Sequence, residues 1–298
     1  MPLRSLLDLL GLSLVWGLAF LFIRVAVPVL GPPLLVELRV LMAGLVLWAW
    51  VRMLGLHLGT ARDWPRFMML GLLNSALPFL LVSHAELRVE ASLAAVLVAT
   101  TPLFSAALAH LMGEERMDAR KAAGLLVGIT GVAILAGWSP GTRSVDDWLA
   151  LCALVGAAMV YACAGAYSRR RGAGTPPAVL AAGSQLGAAV LMLPLVEGHW
   201  PQALADATPA ALLQAPLAGA LLCALALALL SSALAFVLYF RLIAAVGPVR
   251  TLSVNFLSPA VGVAGGVLLL GEPLTPAIAL GLAVVLAGTW LVLVRPAR

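Results

Sequence analysis

The chain has 298 residues, of which 63% are hydrophobic and only 10% carry a charged side chain. A soluble domain would have about 25% charged residues, so a soluble enzyme or binding domain is excluded. The formal net charge of +5 is not accompanied by a basic face with interleaved stacking aromatic residues, so nucleic-acid binding is not indicated.

Charged residues separate apolar runs of roughly 18–25 residues, the length of a helix that crosses a bilayer core of about 30 Å. This pattern predicts an all-α polytopic membrane protein. Asp8 interrupts the first run, which we therefore expect to be kept as a span and not cleaved as a signal peptide. Ten spans are predicted, at residues 6–27, 33–51, 65–84, 91–112, 119–137, 148–167, 177–196, 212–242 (with a true start near 217), 248–270 and 276–294.

The basic residues predict how these spans are oriented, because positive charge is enriched in cytoplasmic loops. With the amino terminus in the cytoplasm, only Arg24, Arg39, Arg88 and Arg143 of the 18 lysine and arginine residues fall on or near the outer side. We therefore expect a multi-pass protein of the cell inner (plasma) membrane with both termini in the cytoplasm.

One stretch of the sequence occurs twice. Residues 73–81 match residues 230–238 at six of nine positions. The same offset places Pro102 on Pro259, and a Gly-Glu pair follows in both copies with a slip of one residue. Apolar runs match easily by chance, but a shared proline and a shared Gly-Glu pair in register indicate an internal duplication.

The duplication predicts two repeats, residues 1–138 and 139–298, with five spans each. Because five is an odd number, the second repeat must enter the membrane upside down. Inverted repeats are a signature of secondary transporters, which hold their substrate near the midplane between the repeats and switch access by rocking.

Prolines and mid-span polar residues indicate where a central cavity would lie. Proline breaks the helical hydrogen-bond ladder, and freed carbonyl groups are tolerated in lipid only where protein or a water-filled cavity satisfies them. We predict hinges at Pro78, Pro102 and Pro259, with the last two interrupting their helices at matching depths. The predicted cavity lining is Trp16, Phe20, Asn74, Leu77, Thr101, Tyr161, Ser232, Tyr239 and Asn255. The alternative roles are lipid contact for the aromatic residues and interhelical hydrogen bonding for the polar ones.

Two charged residues lie within about two turns of the outer end of the second span. Glu37 and Arg39 are two residues apart, so they do not face one another on a helix. Each either forms an orienting salt bridge elsewhere or has a function. Since no ionisable residue is placed deeper, the sequence predicts a cavity for neutral, zwitterionic or aromatic solutes, without a basic residue inside it.

Small residues four positions apart allow close helix packing. Gly124 and Gly128 form such a pair in the fifth span, and Ala277 and Gly281 form another in the tenth. These faces predict either internal packing or the contact of a homodimer.

No catalytic or metal site is predicted. The three cysteines lie in apolar spans, and the four histidines have no metal-binding spacing. Walker, dinucleotide and Gly-x-Ser-x-Gly motifs are absent from the sequence. We expect no cofactor, no enzymatic activity and no direct drive by ATP.

Three groups of residues resemble a known family. They are Trp16-Gly17 with Phe20 and Arg24, Pro33 with Arg39, and the twice-written pattern of a proline, a Gly-Glu pair and two glycines. Together they resemble the EamA branch of the drug/metabolite transporter superfamily. The resemblance implies a ten-helix bundle around a central cavity, and exporters of amino acids and related metabolites, including aromatic amino acids, are the nearest functional analogy.

Three functions remain open at this point. The first is export of amino acids or amphipathic metabolites by alternating access. The second is uptake, metabolite exchange or drug efflux by the same fold, where exchange of an anionic substrate would need basic residues in the cavity. The third is a membrane protein that does not transport.

Overall fold

The computed structural model describes residues 2–137, 144–172, 174–197 and 215–293, and all secondary structure in these ranges is helical. The predicted all-α class is confirmed. The helices are α1 (Leu3–Leu30), α2 (Pro32–Met53), α3 (Ala61–Ala85), α4 (Ala91–Leu111), α5 (Ala119–Ala136), α6 (Val145–Arg171), α7 (Pro177–Glu197), α8 (Pro216–Gly247), α9 (Val254–Leu270) and α10 (Pro276–Leu293).

The helices have the length and surface of membrane spans. Within the described ranges, nine are long and apolar enough to cross a bilayer, and α9 is a shorter apolar helix of 17 residues. Large apolar side chains such as Leu126, Leu268 and Leu269 are exposed on the outside of the bundle. A bilayer removes the cost of exposing such side chains to water. The protein is therefore a multi-pass membrane protein.

We call the end of the bundle where α1 begins the amino end, and the opposite end the far end. α1 and α2 meet at the far end through Gly31, whose φ of 72° suits a residue without a side chain. Pro32 then starts α2, where a missing backbone N–H costs nothing. This one-residue connection makes the two helices antiparallel neighbours.

α9 begins later than the sequence predicts. Gly247, with a φ of 81°, breaks the end of α8, and a short helical turn runs on from it to Thr251. The chain then turns, and α9 starts at Val254 and not at residue 248. Residues 248–251 therefore form a separate turn at the amino end and are not part of the ninth span.

Both copies of the duplicated motif form a π-helical turn within a longer helix. In α3 it covers Leu72–Ala76, and in α8 it covers Leu227–Leu234. Pro78 follows the first turn, but Ala235 stands at the matching position of α8. The wide turn thus accompanies the motif itself and not the proline, and such turns often mark functional sites.

Each of the first five helices has a counterpart among the last five. The main helix pairs in contact stay the same when every helix is replaced by its counterpart. α1 packs against α8 and α9, and in the same way α6 packs against α3 and α4. α2 packs on α7, α4 on α9 and α5 on α10, and each of these pairs contains one helix from either half. The core between the helices therefore joins the two halves into one bundle.

The small-residue faces are used inside this bundle. A methyl group on Gly288 would lie 2.6 Å from the backbone nitrogen of Gly128, so α5 and α10 touch through their backbones. In α7, methyl groups on Gly183 and Gly187 would meet Phe67 of α3. The small-residue faces of α5, α7 and α10 thus contact other helices of the same chain, as one of the two predicted roles requires.

Candidate solute-binding cavity

A cavity of about 380 Å³ lies in the middle of the bundle. Its volume falls within the range of about 300–1,000 Å³ that is usual for small-molecule sites. Both halves of the chain contribute to its wall. The lining residues are Trp16, Ala19, Phe20 and Ile23 of α1, Arg39 of α2, Asn74, Phe79 and Val82 of α3, Ala95, Val98, Ala99, Thr101 and Pro102 of α4, Tyr161 of α6, Ser231, Ser232, Phe236 and Tyr239 of α8, Thr251 and Leu252, and Val254, Asn255, Ser258 and Pro259 of α9.

The structure places most of the sequence-predicted lining residues around this one cavity. Those that line it are Trp16, Phe20, Asn74, Thr101, Tyr161, Ser232, Tyr239 and Asn255. Leu77 does not line it. The π turn of α3 adds a residue, so the face that holds Asn74 continues five positions on, at Phe79. An uninterrupted α-helix would have placed Leu77 on that face instead.

Aromatic side chains form one wall of the cavity. The rings of Trp16 and Tyr239 are 5.8 Å apart, centroid to centroid, with a tilt of 38° between their planes. Tyr239 also contacts Phe240 edge-on, at 5.6 Å. Offset and edge-on arrangements are those that aromatic rings prefer. This wall offers a flat apolar surface against which a planar or aliphatic group could pack.

At the break in α4, next to the cavity, hydroxyl groups donate hydrogen bonds to backbone carbonyl groups. α4 is interrupted between Val98 and Thr101, and Pro102 has no N–H to offer the carbonyl group of Val98. The hydroxyl of Thr101 donates to that carbonyl oxygen at 2.8 Å, and the hydroxyl of Thr100 donates to Leu97 at 2.6 Å. The open backbone is therefore satisfied locally, as a cavity within a membrane requires.

Of the three predicted hinges, the pair expected to match, Pro102 and Pro259, differ in the structure. Pro102 follows directly after the break in α4, but Pro259 lies inside a helix that is continuous from Val254 to Leu270. The prediction that both prolines interrupt their helices is wrong for Pro259. The reason is the turn after Gly247, which moves the break of the second copy to residues 252–253, ahead of α9. Pro78, the third predicted hinge, lies two residues after the π turn of α3.

Arg39 lines the cavity, contrary to the prediction from the sequence, and is only 6% exposed. Its guanidinium carbon lies 3.7 Å from the ring centroid of Phe79, and its Nε donates to the hydroxyl of Ser232 at 3.0 Å. The expectation that the cavity holds no basic residue is therefore wrong. Depth along the helix was predicted well, but depth alone does not tell which way a side chain points.

Arg39 is the one charged side chain in the described lining. Among described residues, only its Nε has a hydrogen-bond partner, so its two terminal amino groups can meet a solute. The carboxamides of Asn74 and Asn255 also face the cavity without hydrogen-bond partners in the described ranges. A cation with a planar fork of donors, two amides and an aromatic wall suit a solute that has a carboxylate and an apolar part.

Among described residues, no group of three or more His, Cys, Asp or Glu side chains could hold a metal ion.

Comparison with known proteins identifies relatives along the whole chain. The sequence model of the EamA-like transporter family matches it twice, at residues 3–137 and 148–294. The "uncharacterized inner membrane transporter YedA" of Escherichia coli K12 is 30% identical over 286 residues, which cover 92% of this chain and 87% of that protein.

Two further similarities concern a named activity and the fold. The "probable terminal-alkyne amino-acid exporter" of Streptantibioticus cattleyicolor is 32% identical over 141 residues, 47% of this chain and 48% of that protein. A solved crystal structure of 20% sequence identity superposes with a TM-score of 0.67, covering 97% of this chain and 96% of its own. At that identity the superposition shows a shared fold.

Proposed function

Since the chain belongs to the EamA-like transporter family of membrane transporters, we propose that it exports amino acids or related small amphipathic metabolites, aromatic ones among them. The proposed route is the central cavity, and the proposed mechanism is alternating access. Both ends of the chain would lie in the cytoplasm, at the amino end of the bundle.

Arg39 carries this proposal. A buried guanidinium without a carboxylate partner is costly in a membrane interior, so a carrier keeps one where a solute supplies the negative charge. Arginine binds a carboxylate with two parallel hydrogen bonds. With a single cation in the described lining, the cavity suits one carboxylate better than a solute with several negative charges.

The remainder of the wall supports an amino acid with an apolar side chain. The side-chain oxygens of Asn74 and Asn255 can accept hydrogen bonds from an ammonium group. Trp16 and Tyr239 provide the surface for the apolar part, since aromatic rings bury large area and stack. One relative bears the name of an amino-acid exporter, which supports the same substrate class.

Alternating access is supported by the packing of the helices. Two five-helix repeats of opposite orientation, residues 1–138 and 139–298, would produce a bundle whose contacts are preserved when the halves are exchanged. Such a bundle has two related conformations of similar energy, in which the halves swap their roles. In one of these conformations the cavity would open to one side of the membrane, and in the other it would open to the opposite side.

Flux in proteoliposomes tests the substrate class. We would measure transport of radiolabelled amino acids, of their amide analogues without a carboxylate, and of a sugar nucleotide. Arg39→Gln should lower the flux of carboxylate solutes about 10- to 100-fold, as expected for hydrogen bonds to a charged group. The matched control is Arg88→Gln, since Arg88 is exposed and pairs with Asp146 at the surface. An unchanged flux in a folded Arg39→Gln protein would overturn the proposal.

A second variant tests the aromatic wall. Trp16→Ala should reduce the flux of an aromatic amino acid more than that of a small aliphatic one, because stacking is lost for the first only. Equal losses for both would show a folding defect or a packing role. Preferred transport of the sugar nucleotide would instead favour an exchanger of the same fold.

A further inference from the structure

Glu86 is an ionisable residue that belongs neither to the cavity lining nor to a surface ion pair. It follows directly after α3 at the far end, and its side chain is fully buried, at 0% exposure. In the described part of the chain, neither of its carboxylate oxygens has a hydrogen-bond partner. An ionised carboxylate in that position would be strongly unfavourable, so burial favours the neutral, protonated form of the group.

Next to it, a contact joins the segment after α9 to the start of α4 at the far end of the bundle. The carboxylate of Glu272, which follows α9, accepts hydrogen bonds from the backbone N–H groups of Ala91 at 2.7 Å and Ser92 at 2.9 Å. The hydroxyl of Ser92 donates to the same carboxylate. We call this contact between Glu272 and the start of α4 the far-end gate. The N–H groups at a helix start are suited to contact a carboxylate.

The basic residues around Glu86 do not neutralise it in this conformation. The guanidinium of Arg24, on α1, donates to the backbone carbonyl oxygen of Glu86 and not to its carboxylate. Arg39, on α2, stacks on Phe79 and donates to Ser232. Arg88 and Glu90 lie on the connection between α3 and α4. Arg88 is exposed and pairs with Asp146, and Glu90 is partly exposed.

The electrostatic surroundings agree with a bound proton. Burial raises the pKa of Glu86 well above its usual range. The positive charge of Arg24 lowers this pKa, and the negative charge of Glu272 raises it. The positive charge of Arg39 also lowers it, but burial outweighs both arginines.

We propose that Glu86 is a proton-binding site that is protonated while the far-end gate is shut and loses its proton when the gate opens. Opening would separate α4 from Glu272 and admit water to the buried pocket. The O–H bond of the Glu86 carboxyl group then breaks, the proton passes to water, and the carboxylate pairs with the guanidinium of Arg24. When the gate shuts again, the Glu86 carboxylate leaves Arg24 and takes a proton back from water before it is buried, so the open-to-shut equilibrium of the gate depends on pH.

The sign of the pH dependence follows from linkage. The shut gate has the higher proton affinity, so protons stabilise it, and the shut fraction falls as the pH rises. Between the Glu86 pKa values of the open and the shut conformation, the open-to-shut ratio should increase about tenfold per pH unit. Below both values the gate should be shut and insensitive to pH.

Spin labels across the gate test this proposal without any solute. Leu87 and Leu274 are 43% and 57% exposed and lie on the two sides of the gate, so both accept a label. In a protein whose native cysteines have been replaced, the label–label distance would be measured by pulsed electron resonance from acidic to alkaline pH. We expect the long distance to gain population as the pH rises.

Glu86→Gln mimics the protonated group and should keep the gate shut at every pH. The matched control, Glu90→Gln, removes a partly exposed carboxylate four residues on and should leave the pH response unchanged. A distance that does not depend on pH in the unsubstituted protein would overturn the proposal, even if a variant failed to fold. An identical pH response in Glu86→Gln would overturn it as well.

The gate measurement is separate from the test of substrate class. Flux that is independent of Arg39 would overturn the carboxylate proposal and leave the gate result standing. A gate without pH dependence would overturn the proton site and leave the substrate result standing.

Discussion

The two Gly-Glu pairs of the chain are alike locally and differ in what they contact. Gly113 and Gly271 have φ values of 69° and 68°, and each ends its helix in the left-handed conformation that favours glycine. Glu272 then caps the start of α4 at the far end. Glu114, at the amino end, instead accepts hydrogen bonds from the guanidinium groups at the end of α6. The same turn thus contacts a helix start at the far end and exposed guanidinium groups at the amino end.

This difference shows that the two halves hold different conformations. If the halves were equivalent, Glu114 would contact the turn that starts at residue 248, the counterpart of the start of α4. Gly247 breaks α8 just before that turn, and nothing comparable precedes α4. Under the proposed alternating access, two repeats in unlike conformations are expected of a carrier whose cavity opens to one side at a time.

The largest effects are expected where the halves remain equivalent, at the contact of α5 and α10. Gly131 and Gly288 occupy matching positions, and a methyl group on either would come within 2.9 Å of a backbone nitrogen of the partner helix. Gly131→Leu and Gly288→Leu should each destabilise the protein by about 3 kcal/mol, since overpacked helices must separate. The measurement is the melting temperature in detergent. Gly219→Leu is the control, because a methyl group there would meet nothing within 4 Å.

The next effect should differ between the two glutamates. Glu272→Gln weakens the cap of α4 by about 2 kcal/mol, which corresponds to about a 30-fold shift toward an open far end. Glu114→Gln should leave the far end unchanged. A cysteine at Ala99, which lines the cavity, would report this as its rate of modification by a thiol reagent added on the far side. Equal rates in both variants would contradict the assignment of Glu272 to the gate.

A smaller effect should separate Pro102 from Pro259. Pro102→Ala supplies an N–H group for the carbonyl of Val98 and should make α4 continuous, stabilising the helix by about 1 kcal/mol and slowing turnover about fivefold. Pro259→Ala should change turnover less, because α9 is already continuous. Hydrogen exchange at residues 99–100 and solute flux would show the difference. Equal and opposite changes in the two variants would restore the idea of matching hinges.

Much of the fold could be predicted because its signals are local. Apolar run lengths predict the helices, and the repeated motif indicates which residues of the two halves correspond. Mid-span polar and aromatic residues indicated the cavity, and eight of the nine predicted residues line it. Phe79 and Phe236 were missed, although both copies of the motif contain them. The shared phenylalanine was a usable signal.

The remaining features depend on contacts between distant parts of the chain. Leu77 was misplaced because a π turn leaves no clear mark in the sequence. The surroundings of Arg39 were predicted from its depth along α2. The direction of its side chain depends instead on how α2 packs against α8. The gate joins Glu272 to residues 180 and 181 positions earlier, so only the folded chain reveals it. The proposed role of Glu86 is also visible only in the folded chain, because it depends on the same contact.

The smallest effect is expected at the amino end. Arg170 and Arg169 bind Glu114 at 2.9 and 3.2 Å, but both arginine side chains are more than half exposed. Exposed ion pairs contribute little to stability, and salt screens them further. Arg169→Ala and Arg170→Ala, alone or together, should therefore change the melting temperature far less than Glu272→Gln does. Addition of salt should remove the remaining difference.

The same pairs have a defined pH dependence. The hydrogen bonds from Arg170 and Arg169 lower the pKa of Glu114 below its usual range. A carboxylate whose pKa is lowered on folding stabilises the folded state above its unfolded pKa, and this contribution is lost as the pH falls through the lowered value. The small stability difference between the parent and the double variant should thus disappear in acid. A double variant that melted as early as Glu272→Gln would show that both ends of the bundle are held equally firmly.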